Sequence, residues 1–286
     1  MALTSPGLIK GANQVLVDVA PELNLIKLFA HDCSDAVAEG GAKVRVAIAS
    51  GGTAESFNAS NANYEHETGS LDDVFVTLNT QPKSTIGLTS MDALELAESP
   101  YWTTFADATG GSVSASISQT IGGLFTTTNC TGGKVVMASV TKAAVAGLRA
   151  ECVGRVANNV LLLAPDYYAE LLGLLDSGVF GGVDPIQTGY IPRLYGFKAV
   201  AQGNDLPSGV KGVLLPSNSI AVASRTVEIP DPSCYSEYGT VKDENGFALT
   251  VLRHGSAATG KAFINTTCLF GANFVKKSWV KYLAAS

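Results

Sequence analysis

Five consecutive apolar residues, Val160-Leu161-Leu162-Leu163-Ala164, constrain this chain more than any other feature. A run of strand length with no polar alternation has no face to give to water. It reads as a strand buried on both sides, which requires packed structure above and below it. Pro165-Asp166 ends the run with a pair suited to the first turn of a helix. Tyr168, Leu171, Leu172 and Leu175 then recur at i, i+3, i+4 and i+7, one apolar stripe on a helix that stops before Ser177-Gly178. A loop with Gly178, Gly181, Gly182 and Gly189 follows. Beyond it the stretch from Tyr190 to Val200 leads a turn into a second strand, Asp205-Leu206-Pro207-Ser208-Gly209 makes a turn, and Val213-Leu214-Leu215 and Ile220-Ala221-Val222-Ala223 give further strands.

The succession resembles the A domain of the major capsid proteins of tailed bacteriophages, the HK97-like fold. In that family a strand, a P-x-x-Y/W-x-x-L helix, a glycine loop, a Leu-x-Gly segment leading to a valine, an LP turn, a small-residue strand and an arginine follow one another. Here they stand as Leu163-Ala164-Pro165 with Tyr168 and Leu171, then Leu194-Tyr195-Gly196 leading to Val200, Leu206-Pro207, and Ala223-Ser224-Arg225. The resemblance implies an α+β, HK97-like capsid fold: an N-terminal arm at residues 1–42, an extended β-hairpin or E-loop at 43–90, a P domain from 91–136 and 226–286 with a long helix and an antiparallel sheet, and an A domain at 137–225. In the family the arm and the E-loop lie over neighbouring subunits, and a C-terminal strand completes the P-domain sheet.

Outside that segment the pattern is thinner. Pro21-Glu22 opens a candidate helix with Leu25, Leu28 and Phe29 on one face. Val44, Val46 and Ile48 alternate with Arg45, Ala47 and Ala49 as in a strand, and Val74 to Leu78 is its expected partner. The small and polar residues between them, 50–73, make a loop that, at this length inside a compact domain, is either a disordered surface insertion or used for contact. Ser99-Pro100 starts a helix that Gly110-Gly111 is expected to interrupt. Ser112 to Ile121 fits a strand by its alternation and Ser/Thr content; Val113, Ile117, Ile121 and Leu124 also fit one helical face, and the resemblance favours the helix. Ser139 caps an expected helix to Cys152, with Val140, Ala144, Leu148 and Cys152 inward. Thr240-Val241-Lys242 and Phe247 to Leu252 flank Asn245-Gly246, a hairpin signal. Ala262-Phe263-Ile264 and Cys268 to Gly271 read as one further strand.

Charged residues are 15% of the chain against a typical ~25%, and 46% are hydrophobic. The deficit points to surface covered by other subunits or to a compact enzyme rich in small residues. With net charge −6 and no Lys/Arg run, a protein that wraps or reads nucleic acid is disfavoured. Cys33, Cys130, Cys152, Cys234 and Cys268 are odd in number without C-x-x-C spacing, which argues for a reducing compartment and against a disulfide framework or zinc knuckle. Neither a signal peptide nor a membrane-length apolar run is expected.

Gly255 to Lys261 matches G-x-x-x-x-G-K, but Ala262 stands where a magnesium-binding hydroxyl belongs and the following residues are strand-like, so a turn between antiparallel strands is expected. His31, His66 and His254 lie far apart, and Ser112, Ser219 and Ser256 lack a nucleophile elbow. No catalytic, cofactor-binding or metal site is expected. The hairpin tip has no lysine, so the covalent crosslinking known in some shells of the family is doubtful. The resemblance implies a structural protein, localised in the virion and assembled in the host bacterial cytoplasm as hexamers and pentamers of an icosahedral shell around double-stranded DNA, touched non-specifically. It leaves room for a separate scaffolding protein, a portal and decoration proteins, with no membrane partner. Leu25, Phe29, Phe57, Tyr64 and Phe75 are the expected inter-subunit contacts. An encapsulin-type nanocompartment and a monomeric α/β enzyme are the rival readings.

Overall fold

A computed structural model describes residues 26–34, 43–50, 70–89, 101–174, 190–229, 231–242, 247–256 and 258–286. The apolar run forms β6 (Asn159–Leu163), buried at every position. It lies inside a six-stranded sheet of order β5 (Lys134–Val136), β15 (Lys281–Ala284), β9 (Gly212–Pro216), β6, β8 (Ala199–Gln202) and β7 (Tyr190–Pro192). The lack of polar alternation now has its reason. Leu161 and Leu163 face one core with Tyr167, Tyr168 and Leu171 of α3 (Pro165–Leu174). Val160 and Leu162 face a second core with Val113, Ile117 and Ile121 of α1 (Tyr101–Gly122).

The helix α1 runs unbroken through Gly110-Gly111, where an interruption was expected. Two glycines cost roughly 2 kcal/mol of propensity, but Gly110 is buried and the Val113, Ile117, Ile121 stripe is covered, so packing outweighs propensity. The second core closes on Phe125, whose ring meets Phe29 edge-on at 6.3 Å and Phe274 at 6.0 Å. Phe125→Ala is expected to cost about 3–5 kcal/mol in denaturant unfolding; a loss under about 1 kcal/mol would show that the core refills.

A second sheet, all antiparallel, has the order β11 (Glu237–Lys242), β12 (Ala248–Ser256), β13 (Lys261–Thr267) and β4 (Lys83–Leu88). A third joins β1 (Ala30–Asp32), β10 (Ile220–Arg225) and β14 (Leu269–Phe274), and β2 (Lys43–Ser50) pairs with β3 (Ser70–Thr77) as a separate hairpin. The expected partnerships of residues 43–49 with 74–78 and of 240–242 with 247–252 both hold; the Asn245-Gly246 turn lies outside the described residues.

Four details differ from the sequence reading. The helix expected from Ser139 is α2 (Lys142–Gly147) with a 3₁₀ turn to Glu151, capped by Thr141, whose Oγ1 accepts from Ala144 N at 3.1 Å. The Val140 N–H donates across the structure to Glu170 Oε2. On α3, Tyr167 shares the buried face while Leu172 is exposed; Leu175 lies outside the described residues. The single strand expected over 262–271 is two strands in different sheets, separated by buried Cys268. The C-terminal strand β15 joins the six-stranded sheet between β5 and β9, not the sheet of β11 to β13. Strand pairing therefore crosses the boundaries drawn at 90, 136 and 225.

Candidate assembly surfaces

The β2–β3 hairpin keeps one register from Lys43↔Thr77 to Ser50↔Ser70. Alternation sorts its side chains onto two faces. On the first, Val44 and Val76 at the base are buried with Cys33, Leu78, Ala221 and Ala223. Farther out on the same face Val46, Ile48 and Val74 are only half-buried. One apolar face thus begins in the core and runs out from under its cover, and unburied apolar surface of this kind is worth about 25 cal/mol per Å² to whatever covers it. On the opposite face Phe75 is 52% exposed. Beside it Arg45 Nη2 pairs with Asp73 Oδ2 at 2.6 Å, and this hydrogen bond and charge hold the guanidinium above its usual range.

The base of the hairpin is fixed by backbone. Asn273 Nδ2 donates to the Phe75 carbonyl at 3.0 Å, and Thr80 and Phe270 exchange N–H···O bonds of 3.1 and 2.8 Å. At Gly271 the approach is so close that a Cβ would stand 2.2 Å from the Thr77 carbonyl oxygen. The described contacts between the hairpin and the body are thus concentrated at its base.

Of the expected contact residues, Phe75 is exposed. Phe29 is not: it is 2% exposed and turned into the chain's own core against Phe125, because the segment entering from residue 26 packs under α1 before forming β1. Leu25, Phe57 and Tyr64 lie outside the described residues. Among the described residues two further large apolar side chains are exposed, Val136 on the edge strand β5 at 61% and Leu172 on α3. Sequence spacing gave no sign of Val136, since a three-residue strand has no period. Lys198 was also missed. Its Nζ donates to the Leu28 carbonyl at 2.8 Å and Ser217 Oγ at 3.0 Å, tying the root of the N-terminal segment to the six-stranded sheet, and burial pushes its ammonium below the usual lysine range.

The described residues contain no group of three or more His, Cys, Asp or Glu side chains able to hold a metal. Ser112 Oγ donates back to the Ala108 carbonyl, and Ser219 is buried. Gly255 and Lys261 lie in antiparallel β12 and β13, joined by a turn in which Gly260 takes φ +61° and donates to the Ser256 carbonyl; Lys261 opens a strand rather than facing a helix N-terminus. All five cysteines are free thiols. Burial raises Cys130 to about 11 and Cys268 to about 12, and also raises Cys33 and Cys152. Since the thiolate is the reactive form, iodoacetamide at pH 8 is expected to label exposed Cys234 in the dissociated chain and to leave Cys130 and Cys268 intact until denaturant is added. Mass spectrometry that found Cys130 or Cys268 modified first would contradict the packing around them.

No family model matches the sequence, and no curated protein matches it. Solved structures do. The capsid of the cyanophage P-SCSP1u superposes with a TM-score of 0.57 at 10% identity, covering 91% of this chain and 87% of that one. A virus-like particle from Pyrococcus furiosus gives 0.57 at 12% identity, covering 96% and 97%. Mycobacterium phage Che8 gives 0.52 at 15% identity, covering 90% and 89%. The chain has the HK97-like fold. An HK97-like fold accounts for the long helix against an antiparallel sheet, for the separate six-stranded sheet, and for a hairpin that leaves the body. At 10–15% identity it is the shape that persists while nearly every side chain differs.

Proposed function

We propose that this chain is a major capsid protein: a structural, non-enzymatic subunit whose copies close as hexamers and pentamers into an icosahedral shell around a double-stranded DNA genome. The observation that carries this reading is the likeness to capsid and virus-like-particle subunits over 87% or more of both chains. The exposed hairpin and a charged fraction of 15% support it. Function here is geometry: each subunit makes several modest contacts, and closure adds them into a stable particle. A stable interface buries roughly 1,200–2,000 Å², and the outer half of the β2–β3 hairpin, which takes the place of an E-loop, and the N-terminal arm supply such area without enlarging the body. The sheet of β11, β12, β13 and β4 with α1 takes the place of the P domain, and the six-stranded sheet that of the A domain. Five free thiols fit assembly in a reducing host cytoplasm before the subunit resides in the virion.

A second reading keeps the shell and changes its contents. The Pyrococcus furiosus virus-like particle matches with the same TM-score as the cyanophage capsid, so a compartment that holds protein cargo is its alternative. Nuclease treatment of particles from producing cells separates the two. Protected double-stranded DNA of uniform length is expected; particles empty of nucleic acid but carrying a stoichiometric second protein would favour the compartment.

A further inference from the structure

The strand β5 ends the six-stranded sheet, and only one of its two edges is paired. Its partner is β15, in parallel, with Tyr282 beside Lys134 and Ala284 beside Val136. Tyr282 N donates to the Gly133 carbonyl at 3.2 Å, and Met137 N donates to the Ala284 carbonyl at 2.8 Å. Backbone groups alternate in direction along a strand, so residues 133, 135 and 137 turn toward β15 while Lys134 and Val136 turn away. The outer edge therefore presents the N–H and C=O of Lys134 and of Val136, with no backbone partner among the described residues. Proline, a bulge or a covering element would blunt such an edge, and the described residues supply none of them here. Instead Val136 is 61% exposed, on the same face of the strand as exposed Lys134.

The charge around this edge has one sign. The sequence has no Asp or Glu between Asp107 and Glu151, and none after Glu244. The fold brings these two acid-free stretches together. Gly132 N donates to the Val280 carbonyl at 3.0 Å, and a Cβ on Gly132 would stand 2.8 Å from the Ser278 oxygen. Lys277, exposed in the same loop, reaches Asn129 Oδ1 at 3.3 Å. Neither Lys134 nor Lys277 has a carboxylate partner among the described residues, and Glu151 is engaged by Lys281 at 2.8 Å. A lysine on an open edge repels a second β5 and attracts a strand that carries acid.

We propose that the outer edge of β5 binds an extended acidic segment of a separate protein by strand addition. The segment completes the backbone bonds of Lys134 and Val136. It sets an apolar side chain beside Val136 and, two residues away on the same face, a carboxylate beside Lys134; continued past Gly132, it brings further acid to Lys277. Duplex DNA shares the charge preference but uses neither the backbone edge nor Val136. The site belongs to the subunit and does not depend on the shell reading; in a shell, many copies would add weak single contacts into avidity.

The probe is a fluorescein-labelled peptide with valine, glutamate and glutamate at alternate positions and threonine between them. It is titrated into the dissociated full chain by anisotropy, with circular dichroism as the folding control. Binding is expected, with slowed amide exchange at Lys134 and Val136. It is expected to weaken about tenfold or more in K134E/K277E and in high salt, and to be unchanged in K83E/K261E, whose lysines are exposed on β4 and β13. Val136→Pro deletes an outward N–H on an edge where proline is tolerated, and is expected to weaken binding by a similar factor. The same peptide with N-methylated backbone amides is expected not to bind, a test that stands even where Val136→Pro fails to fold. No binding, equal binding of the N-methylated peptide, or full binding by K134E/K277E overturns the proposal. So does a short DNA duplex that slows exchange at Lys134 and Val136 as the peptide does. Particles formed by the chain alone that already protect these amides and exclude the peptide would give the edge to a second copy and overturn the separate partner. A chain that never assembles would remove the shell reading, and the titration would still decide what this edge accepts.

Discussion

Replacing Gly271 with alanine is expected to destabilise the chain by about 2–3 kcal/mol or more and to loosen the hairpin from the body. A Cβ at this position would stand 2.2 Å from the Thr77 oxygen, 2.8 Å from its carbonyl carbon and 3.2 Å from Leu78 Cα. All three are backbone atoms, so no side-chain rotation relieves the clash. Either β14 withdraws from β10, with which it pairs over six residues, or the foot of β3 moves and breaks the Asn273–Phe75 and Thr80–Phe270 hydrogen bonds. Thermal unfolding with hydrogen exchange at residues 74–80 reads both effects. Gly255→Ala is the control, because its Cβ would meet nothing within 4 Å. If Gly271→Ala and Gly255→Ala have the same midpoint and the same exchange protection, the close approach of the two backbones is not what anchors the hairpin.

Removing the outer hairpin is expected to do the reverse: abolish assembly and spare the fold. The register ends at Ser50↔Ser70, so residues 51–69 can be replaced by Asn-Gly, a pair suited to a two-residue hairpin turn. The described core contacts of the hairpin are made at its base by Val44, Val76 and Leu78, and these remain. The shortened chain is expected to unfold within about 1 kcal/mol of the parent, since surface changes away from the core cost little, and to form no closed shells. Normal particles from this deletion would remove the hairpin from the assembly mechanism; an unfolded chain would show that 51–69 stabilise the subunit itself.

What could be read from the sequence was what local physics decides. The run from Val160 to Ala164 specified a doubly buried strand because no register exposes any of its residues without cost. Pro165-Asp166 fixed the start of α3, and alternation fixed both faces of β2. Long-range choices were not legible. Nothing in Lys281 to Ala284 says that this strand joins β5 and β9 instead of β13, because that depends on what lies beside it in space. Thr141 rather than Ser139 caps α2, a choice between two nearby hydroxyls that the local pattern leaves open. The same limit governs the assembly surfaces. Phe75 was recognisable as an apolar residue on a two-faced strand, while Phe29, on an equally apolar helix face, went to the core because Phe125 and Phe274 were waiting for it.

Negative-stain electron microscopy of the chain expressed by itself, with sedimentation velocity on the same sample, tests the central claim most directly. Closed shells, or rings of five and six subunits, are the expected result. A single species of 29.5 kDa, unchanged across concentrations up to those reached in a producing cell and unchanged with proteins co-purified from such cells, would contradict the shell account and return the chain to the class of monomeric proteins.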